Sequence, residues 1–316
     1  MARILTVTFN PSVDRATRTE RLQPTVKLRC DAPTVYPGGG GLNVARVLTR
    51  LGADVLALHT AAGLTGALLG QLLHGEGVAA RMVEVSGLTR DNLSVVEQAS
   101  GEEYRFVMPG PVLDAQAVQA CFNAVFEAAS RPLADWVVLS GSLPQGMPAD
   151  AYNTIARRLK AMGCRIALDA SGEALAAGLR AGVDLVKPSL DELRECTGQP
   201  LNSADDQREA AQAWVRMRTS ETVVLSLGAE GALLATRDGT WRVGGLSMPV
   251  KSTTGAGDSM LAAILWSLSR GQHAREALRW GVAAGSASVA QEASALGTRQ
   301  EIEALAQQVP PPRSLG

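Results

Sequence analysis

The feature that most constrains the fold is the alternation of short apolar segments with longer amphipathic ones after residue 115. Segments such as WVVLS (136–140) are nearly continuous runs of aliphatic residues, typical of parallel strands whose two faces are both covered by helices. Regular alternation of this kind predicts an α/β fold with a doubly wound, mostly parallel sheet and helices on both faces. The strands are predicted at 136–140, 165–169, 183–187 and 222–227, and the helices near 115–130, 150–162, 173–181 and 205–218.

The N-terminal part contributes strands at 3–9 and 54–60 and a helix at 64–74, but two pieces interrupt this pattern. Residues 11–36 lack a helical period, and residues 88–110 contain two short strand-like runs joined by a Gly-containing turn, a hairpin signature. Neither piece is long enough to form its own core. We therefore expect one domain over residues 1–316, with a small β-sheet lid built from roughly 11–36 and 88–110.

Small and polar residues directly follow the apolar strands. In open parallel sheets, ligands bind beyond the carboxyl ends of the strands, so these residues predict the binding edge. The segments in question are Ser140-Gly141-Ser142, Asp169-Ala170-Ser171, Lys187-Pro188-Ser189 and Ser226-Leu227-Gly228.

A glycine-rich turn, Gly255-Ala256-Gly257, precedes Asp258 and the apolar helical segment MLAAILWSL. Backbone N–H groups at a helix start have no partner within the helix and carry the positive end of its dipole, which makes an anion site. Asp258 lies in the first turn, where aspartate is also common for purely structural reasons. A carboxylate beside an anion site is, however, what a kinase needs to accept a proton from a hydroxyl while a phosphoryl group is transferred.

Four consecutive glycines, Gly38 to Gly41, precede a well-patterned helix. A flexible turn would explain them, but their entropic cost favours close approach of a ligand. Asn43 could donate to and accept from sugar hydroxyls, and Asp14 could accept from them or serve as an ordinary turn residue. A dinucleotide fingerprint would need glycine where Asn43 and Met260 stand, and no Gly-x-x-x-x-Gly-Lys-Ser/Thr occurs, so both Rossmann and P-loop proteins are disfavoured.

Basic residues of the two interrupting pieces form a further candidate group. Each alone would be an ordinary solvated side chain, but together they could bind a phosphate already present on the substrate. They are Lys27, Arg29, Arg90 and Arg105.

Composition narrows the class of protein. The 316 residues carry a net charge of −1, which gives no reason to expect a nucleic-acid or membrane partner. Four widely spaced cysteines and three histidines form no metal-ligand spacing and are expected to be reduced thiols and ordinary imidazoles. The N-terminal apolar run is too short for a signal peptide, so we expect a cytoplasmic protein.

The two glycine motifs, PGGGGLNVARVLTRLG (37–52) and STTGAGDSMLAAIL (252–265), resemble those of the PfkB, or ribokinase-like, sugar kinases over nearly the whole chain. The resemblance is strongest to the branch that uses ATP to phosphorylate fructose 6-phosphate at its 1-hydroxyl, giving fructose 1,6-bisphosphate in glycolysis. It implies a ribokinase-like fold, Mg²⁺ bound with ATP, and a homodimer that forms through the lid.

The resemblance also implies roles for individual residues. Asp258 matches the catalytic base, with Gly255, Ala256 and Gly257 as the anion hole. Substrate contacts correspond to Asp14, Gly39, Gly40, Asn43, Arg90, Arg105 and Ser140, and to Lys27 reaching across from the partner's lid. ATP contacts correspond to Lys187, Ser226, Gly228, Gly231 and Ser286, and Glu192 matches an acidic residue that holds Mg²⁺ through water.

Two departures from the family pattern stand out. Ser189 replaces the Asn of the Asn-x-x-Glu magnesium motif, which weakens the metal assignment. Residues 288–298 differ from, and are longer than, the family's monovalent-cation loop, so K⁺ near Ser252 and Thr254 is a candidate only. Tagatose-6-phosphate kinase and 1-phosphofructokinase remain open as activities, as does a sugar-phosphate sensor without catalysis. A tetramer also remains open.

Overall fold

The computed structural model describes residues 3–130 and 132–315. Its large sheet contains β1 (Arg3–Thr8), β4 (Asp54–Ala61), β5 (Ala80–Glu84), β8 (Trp136–Ser140), β9 (Arg165–Asp169), β10 (Val183–Val186), β11 (Ser220–Ser226), β12 (Ala232–Thr236), β13 (Gly239–Val243) and β14 (Arg313–Ser314). A small sheet contains β2 (Ser12–Thr19), β3 (Thr34–Gly38), β6 (Arg90–Glu97) and β7 (Glu103–Phe106). The helices are α1 (Gly40–Arg50), α2 (Gly63–Gly75), α3 (Ala115–Ser130), α4 (Ala151–Ala161), α5 (Gly172–Leu179), α6 (Leu190–Thr197), α7 (Ala204–Arg216), α8 (Ala256–Ser269), α9 (Ala274–Val289) and α10 (Arg299–Gln308).

The large sheet has the strand order β14-β13-β12-β11-β10-β9-β8-β1-β4-β5. Pairing is parallel from β5 to β11 and antiparallel from β11 to β14. After β1 the chain first adds β4 and β5 on one side and later adds β8 to β11 on the other. The strand order therefore reverses between β1 and β8, and a crevice opens there at the carboxyl ends of the strands.

Helices cover both faces of this sheet, as predicted. One core cluster packs α3, α4, α5 and α7 against one face, with Tyr152, Ile155 and Trp214 among its buried members. The second packs α1, α8, α9 and α10 against the other face, around Leu48, Leu265 and Val282. Burial on both faces explains why the central strands are apolar along their whole length.

The small sheet has the order β3-β2-β6-β7 and lies apart from the large one. It is built from the two segments that interrupt the βα pattern, with β2 parallel to β6 and the predicted hairpin formed by β6 and β7. Several large apolar side chains of these segments are exposed: Val26, Leu28, Tyr104, Phe106, Val107 and Met108.

The sequence pattern missed β5, β12 to β14, α6, α9 and α10. In β5 only Val83 is buried, so the strand carries little alternation. Helix α6 has eight residues and is capped by Ser189, which forms a capping box with Glu192. The Ser-x-x-Glu sequence was the available signal for this helix start. No helix of the described residues is long and apolar enough to cross a membrane.

Candidate active site

The turn before α8 forms a cradle of backbone N–H groups. Gly255 has φ 74°, a left-handed conformation that glycine adopts without strain. The first i to i−4 bond of the helix runs from Ser259 N to Gly255 O at 2.9 Å, so the N–H groups of Gly257 and Asp258 have no acceptor within the helix. The Ala256 N–H makes only a long contact, 3.4 Å, to Thr253 O. The sequence prediction of an anion site at this turn therefore has the required geometry.

Asp258 projects from the first turn of α8 next to this cradle. Removal from water and the nearby charge of Asp169 raise the pKa of Asp258 to about 7, against the lowering effects of Asn43, Lys187 and Arg46. A carboxyl group with a pKa near neutrality can hold or release a proton at physiological pH, as general base catalysis requires.

Gly40 and Ser140 form the opposite wall. A Cβ atom built on Gly40 would clash with Ser140 Oγ and lie 3.3 Å from Asp258 Oδ1. Ser140 Oγ is buried and has no hydrogen-bond partner among the described residues. The missing side chain of Gly40 thus lets the start of α1 approach Ser140 closely, and any larger side chain there would crowd Asp258 Oδ1 and the unpaired Ser140 hydroxyl.

Lys187, directly after β10, reaches the other side of the cradle. Its Nζ lies 3.0 Å from Asp169 Oδ1, and a Cβ atom on Gly257 would lie 3.1 Å from Nζ. Burial alone lowers the pKa of Lys187, but Asp169 and the other nearby carboxylates together raise it above its usual value. The lysine is therefore a buried cation placed at the anion site.

Asp14, on β2, is held at the small sheet by three hydroxyl and amide groups. Ser12 Oγ and Asn92 Nδ2 donate to Oδ1 at 2.7 and 3.0 Å, and Ser294 Oγ donates to Oδ2 at 3.1 Å. A Cβ atom on Gly38 would collide with this carboxylate. Asp14 thus faces the glycine run, and Oδ2 has a lone pair left for a ligand hydroxyl.

Asn43 is buried on α1 and lies between two charged groups. Its Nδ2 donates to Asp258 Oδ2 at 2.8 Å, and its Oδ1 accepts from Arg46 Nη1 at 3.0 Å. The amide oxygen is thus engaged within the protein, whereas the sequence prediction gave Asn43 a contact to sugar hydroxyls.

The predicted phosphate-binding residues lie in different settings. Arg90 donates from Nε and Nη2 to Asn10 O at 3.1 and 2.8 Å, which fixes the guanidinium at the mouth of the crevice. Arg105, exposed on β7, lines a cleft together with Asp14, Asn92 and Ser294. Lys27 is exposed in the segment between β2 and β3. Arg29 belongs to the same exposed segment.

The predicted nucleotide contacts follow the edge of the sheet. Ser226 ends β11 and pairs with Ser189, while Gly228 and Gly231 bracket a short 3₁₀ turn. Gly228 has open space around it, so ligand atoms can approach. Ser286 is half-buried on α9. Its neighbour Gly285 packs against Ala256 O at the start of α8, so Ser286 belongs to the same region as the cradle.

Glu192 and Ser189 form the capping box of α6. Glu192 Oε2 accepts from Ser189 N at 2.7 Å, and Ser189 Oγ accepts from Glu192 N at 3.2 Å. Glu192 Oε1 takes part in neither bond and could bind the water shell of Mg²⁺, which prefers to keep several waters. Within residues 3–130 and 132–315 no group of three acidic, His or Cys side chains is arranged to hold a metal directly.

Ser252 and Thr254, the candidate K⁺ residues, lie before the cradle. Ser252 Oγ donates to Glu103 Oε2 on β7 and accepts from Thr254 N, both at 3.2 Å. In the loop after α9, the carbonyls of Ala295, Leu296 and Gly297 all accept from Arg50 Nη1. Each of these carbonyl oxygens keeps a second lone pair, so the bonds to Arg50 do not exclude a cation in this loop.

Sequence reasoning noted Asp169 only as a strand end, and it missed Arg46 and Ser294 altogether. The position of Asp169 directly after an apolar strand was the available signal. No local pattern marks Ser294, because its contact with Asp14 spans 280 residues.

Comparison with known proteins places this site in a family. The model of the "pfkB family carbohydrate kinase" matches residues 7–300. The chain belongs to the pfkB family of carbohydrate kinases. This pfkB kinase is 40% identical over 314 residues to "ATP-dependent 6-phosphofructokinase isozyme 2" of Mycobacterium tuberculosis, covering 99% of this chain and 92% of that protein. It is 34% identical over 306 residues to "1-phosphofructokinase" of Bacillus subtilis, covering 97% of this chain and 98% of that protein.

The pfkB kinase also superposes on the crystal structure of phosphofructokinase-2 from Escherichia coli with a TM-score of 0.92 and 39% identity, covering 98% of this chain and 99% of that one. The predicted family and the ribokinase-like fold class, including the small sheet, are confirmed, and the chain is a sugar phosphotransferase.

Proposed function

We propose that this kinase transfers the γ-phosphoryl group of ATP to the 1-hydroxyl of fructose 6-phosphate, giving fructose 1,6-bisphosphate and ADP. The observation that carries the proposal is Asp258, a carboxyl group with a pKa of about 7 that lies between the N–H cradle of α8 and the close approach of Gly40 to Ser140. The M. tuberculosis relative carries the name of this activity, and the E. coli phosphofructokinase-2 has been crystallised with fructose 6-phosphate.

The sugar would lie between the small sheet and the crevice. Its 1-hydroxyl would enter the space beside Gly40 and give its proton to Asp258, while Asp14 accepts from another hydroxyl. The 6-phosphate would meet the guanidinium groups of Arg90 and Arg105, which bind phosphate through charge-assisted hydrogen bonds.

ATP would lie along the strand ends near Ser226 and Gly228, with its γ-phosphate at the cradle and the Lys187 ammonium beside it. Mg²⁺, held through water by Glu192, would neutralise phosphate charge. The cradle and Lys187 are fixed before substrate arrives, so they stabilise charge in the transition state without reorganisation.

The small sheet would act as a lid that excludes water and as the contact to a second copy of the chain. Its exposed apolar side chains, Tyr104 and Phe106 among them, would be covered in a homodimer, and Lys27 would reach the partner's sugar site. A tetrameric inhibited form is known for the E. coli enzyme, so a larger assembly is an alternative outcome of the same measurement. We further propose a cytoplasmic location and K⁺ as a candidate activator, since the E. coli enzyme has been crystallised with potassium.

The experiment that tests the function is ADP release by purified protein with MgATP and each of three sugars: fructose 6-phosphate, tagatose 6-phosphate and fructose 1-phosphate. We expect the highest kcat/KM with fructose 6-phosphate and a loss of about 10²–10⁴-fold in kcat for Asp258→Asn. A preference for fructose 1-phosphate would instead favour the activity named for the B. subtilis relative. Binding without turnover of any sugar phosphate would favour the sensor.

A further inference from the structure

A chain of buried polar side chains runs from the base to the end of α2. Asn43 Nδ2 donates to Asp258 Oδ2 at 2.8 Å, and Arg46 Nη1 donates to Asn43 Oδ1 at 3.0 Å. Arg46 Nε and Nη2 donate to Glu76 at 3.0 and 2.7 Å. Arg46 is 1% exposed and lies outside the space that the substrates would fill. The base is therefore connected to a buried cation through one amide.

The arrangement leaves the Asn43 amide no choice of orientation. A guanidinium has only donors, so it must face the amide oxygen, and the amide NH₂ must then face the carboxylate. Arg46 Nη1 also donates to Pro37 O at 3.0 Å, which fixes the guanidinium itself. Consequently Asp258 Oδ2 always accepts from Asn43, and Oδ1 is the oxygen left beside Gly40.

We propose that Arg46 is a positioning residue for phosphoryl transfer, because it orients the Asn43 amide and thereby leaves Oδ1 of Asp258 as the atom that accepts the substrate's proton. The inference rests on the proposed function for the identity of the substrate. In the step, the substrate hydroxyl oxygen bonds to the γ-phosphorus, the bond from phosphorus to the β–γ bridging oxygen breaks, and ADP leaves. The hydroxyl proton moves to Oδ1.

Packing alone does not account for Arg46. Burial lowers the pKa of Arg46 in spite of Glu76, which shows how unfavourable the site is for a cation. Buried ion pairs are often no more stabilising than apolar side chains of the same volume. Filling space would not require an arginine at this position. Orienting the Asn43 amide while binding Glu76 requires a positive charge and several N–H donors, which the Arg46 guanidinium provides.

The charge of Arg46 also acts on the base. The ionisable groups that face Asp258 are Asp169 at the end of β9, Lys187 after β10 and Arg46 on α1. Asp169 disfavours the carboxylate, whereas the two cations favour it. Removal of the guanidinium should therefore raise the pKa of Asp258 and release the amide that binds Oδ2.

The test is Arg46→Met, which keeps most of the side-chain volume and leaves Glu76 paired with Arg50 at 2.9 Å. We expect kcat to fall at least about tenfold, since a misplacement of about 1 Å can cost about 10²-fold. The acid limb of the kcat/KM profile for the sugar phosphate should move to higher pH, and the KM for MgATP should stay unchanged. The matched control is Arg279→Met, which removes an arginine bound to Glu276 and Val309 O away from the cleft. It should lower the melting temperature and leave the pH profile unaltered.

A folded Arg46→Met variant with wild-type kcat and an unmoved acid limb would overturn the proposal. If this variant does not fold, Arg46→Lys is measured, which keeps the charge but replaces the rigid fork of donors with a single ammonium. A lower kcat supports the proposal and a wild-type kcat overturns it.

A substrate-free measurement separates this inference from the proposed function. The pH dependence of the melting temperature, compared with and without Asp258→Asn, reports the pKa of Asp258 in the wild-type and Arg46→Met backgrounds. We expect a higher pKa of Asp258 in the Arg46→Met background, and an equal pKa in both backgrounds overturns the inference. Failure of the wild type to turn over any sugar phosphate would concern the proposed function alone.

Discussion

Lys187 and Asp169 form a buried ion pair of 3.0 Å directly behind the glycine turn that starts α8. Their side chains are 6% and 11% exposed. The pair places an ammonium at the anion cradle, and the same aspartate raises the pKa of Asp258. Asp169 therefore affects both groups that the transfer needs: the cation that meets the phosphoryl group and the base that receives the proton.

The first prediction concerns Asp169→Asn. Removing a negative neighbour favours the charged form of Asp258, so its pKa should fall below about 7. In a plot of kcat/KM against pH, the fall in kcat/KM on the acid side, the acid limb, should then move to lower pH. The substrate's phosphate also titrates, but it does so equally with both proteins. The difference between the variant and the wild type therefore reports the enzyme's own groups. Asp238→Asn, in the exposed turn between β12 and β13, is the control and should leave the limb in place. An unmoved limb in Asp169→Asn would show that Asp169 does not influence the base.

The second prediction concerns stability. The pKa of Asp258 is raised from 3.8 to about 7 on folding, so the folded state favours the neutral carboxyl group. This stabilisation is complete below about pH 4 and is lost as pH rises through about 7. Asp258→Asn stays neutral and can keep its carbonyl oxygen toward Asn43. We expect it to exceed the wild type by up to about 4 kcal/mol at pH 8, since the shift spans about 3 pKa units and each unit corresponds to about 1.4 kcal/mol.

Urea unfolding of both proteins at pH 5 and pH 8 measures this difference. The advantage of Asp258→Asn should grow between the two pH values. An advantage that is equal at both would mean that Asp258 titrates at its ordinary pKa in the folded protein.

Most of the fold could be predicted from the sequence, because the parallel strands are buried on both faces and their hydrophobic pattern is local. The helix predicted near 115–130 corresponds to α3 (Ala115–Ser130). The antiparallel strands β13 and β14 were missed, since they carry few buried residues, and β12 was missed although four of its five residues are buried. Residues 11–36 showed no regular pattern because the burial of β2 does not alternate along the strand. Its pairing with β6, about 78 residues away in sequence, leaves no local signal either.

The candidate site was predictable where a short motif carries the chemistry, as in the turn from Gly255 to Asp258. Contacts between side chains that are far apart in the sequence could not be predicted in this way. Residue type and the family resemblance predict that Asn43 contacts sugar hydroxyls, and that stays a prediction; its bonds to Asp258 and Arg46 depend on the packing of α1 against α8 and have no local signal. Residue type predicts what a side chain can do, and only the fold decides which partner it meets.

The third prediction tests the space beside the base. Gly40→Ala places a methyl group against Ser140 Oγ and 3.3 Å from Asp258 Oδ1, where the substrate hydroxyl should lie. We expect kcat/KM for the sugar phosphate to fall by about 10²-fold, the typical cost of a misplaced reacting group. Gly70→Ala on α2 is the control, since nothing lies within 4 Å of the added Cβ. Wild-type kcat/KM in a folded Gly40→Ala protein would place the reacting hydroxyl elsewhere.

The fourth prediction concerns Ser294, which lies in the loop after α9 and donates to Asp14 Oδ2 at 3.1 Å. The ion pair of Glu292 with Arg18 holds the same loop to β2. Ser294→Ala should let the Asp14 carboxylate turn about its remaining bonds to Oδ1. The KM for the sugar phosphate should rise roughly fivefold to tenfold, because such a hydrogen bond contributes about 1–1.5 kcal/mol. The KM for MgATP should not change.

Steady-state kinetics with each substrate varied in turn measures both constants for Ser294→Ala. Ser100→Ala is the matched control, because Ser100 Oγ donates to Glu97 on the exposed end of the same small sheet. It should leave both KM values unchanged. Equal rises in both KM values for Ser294→Ala would indicate general damage to the loop. An unchanged KM for the sugar phosphate would mean that Asp14 does not bind the sugar, since the serine holds the carboxylate oxygen that remains available to a ligand.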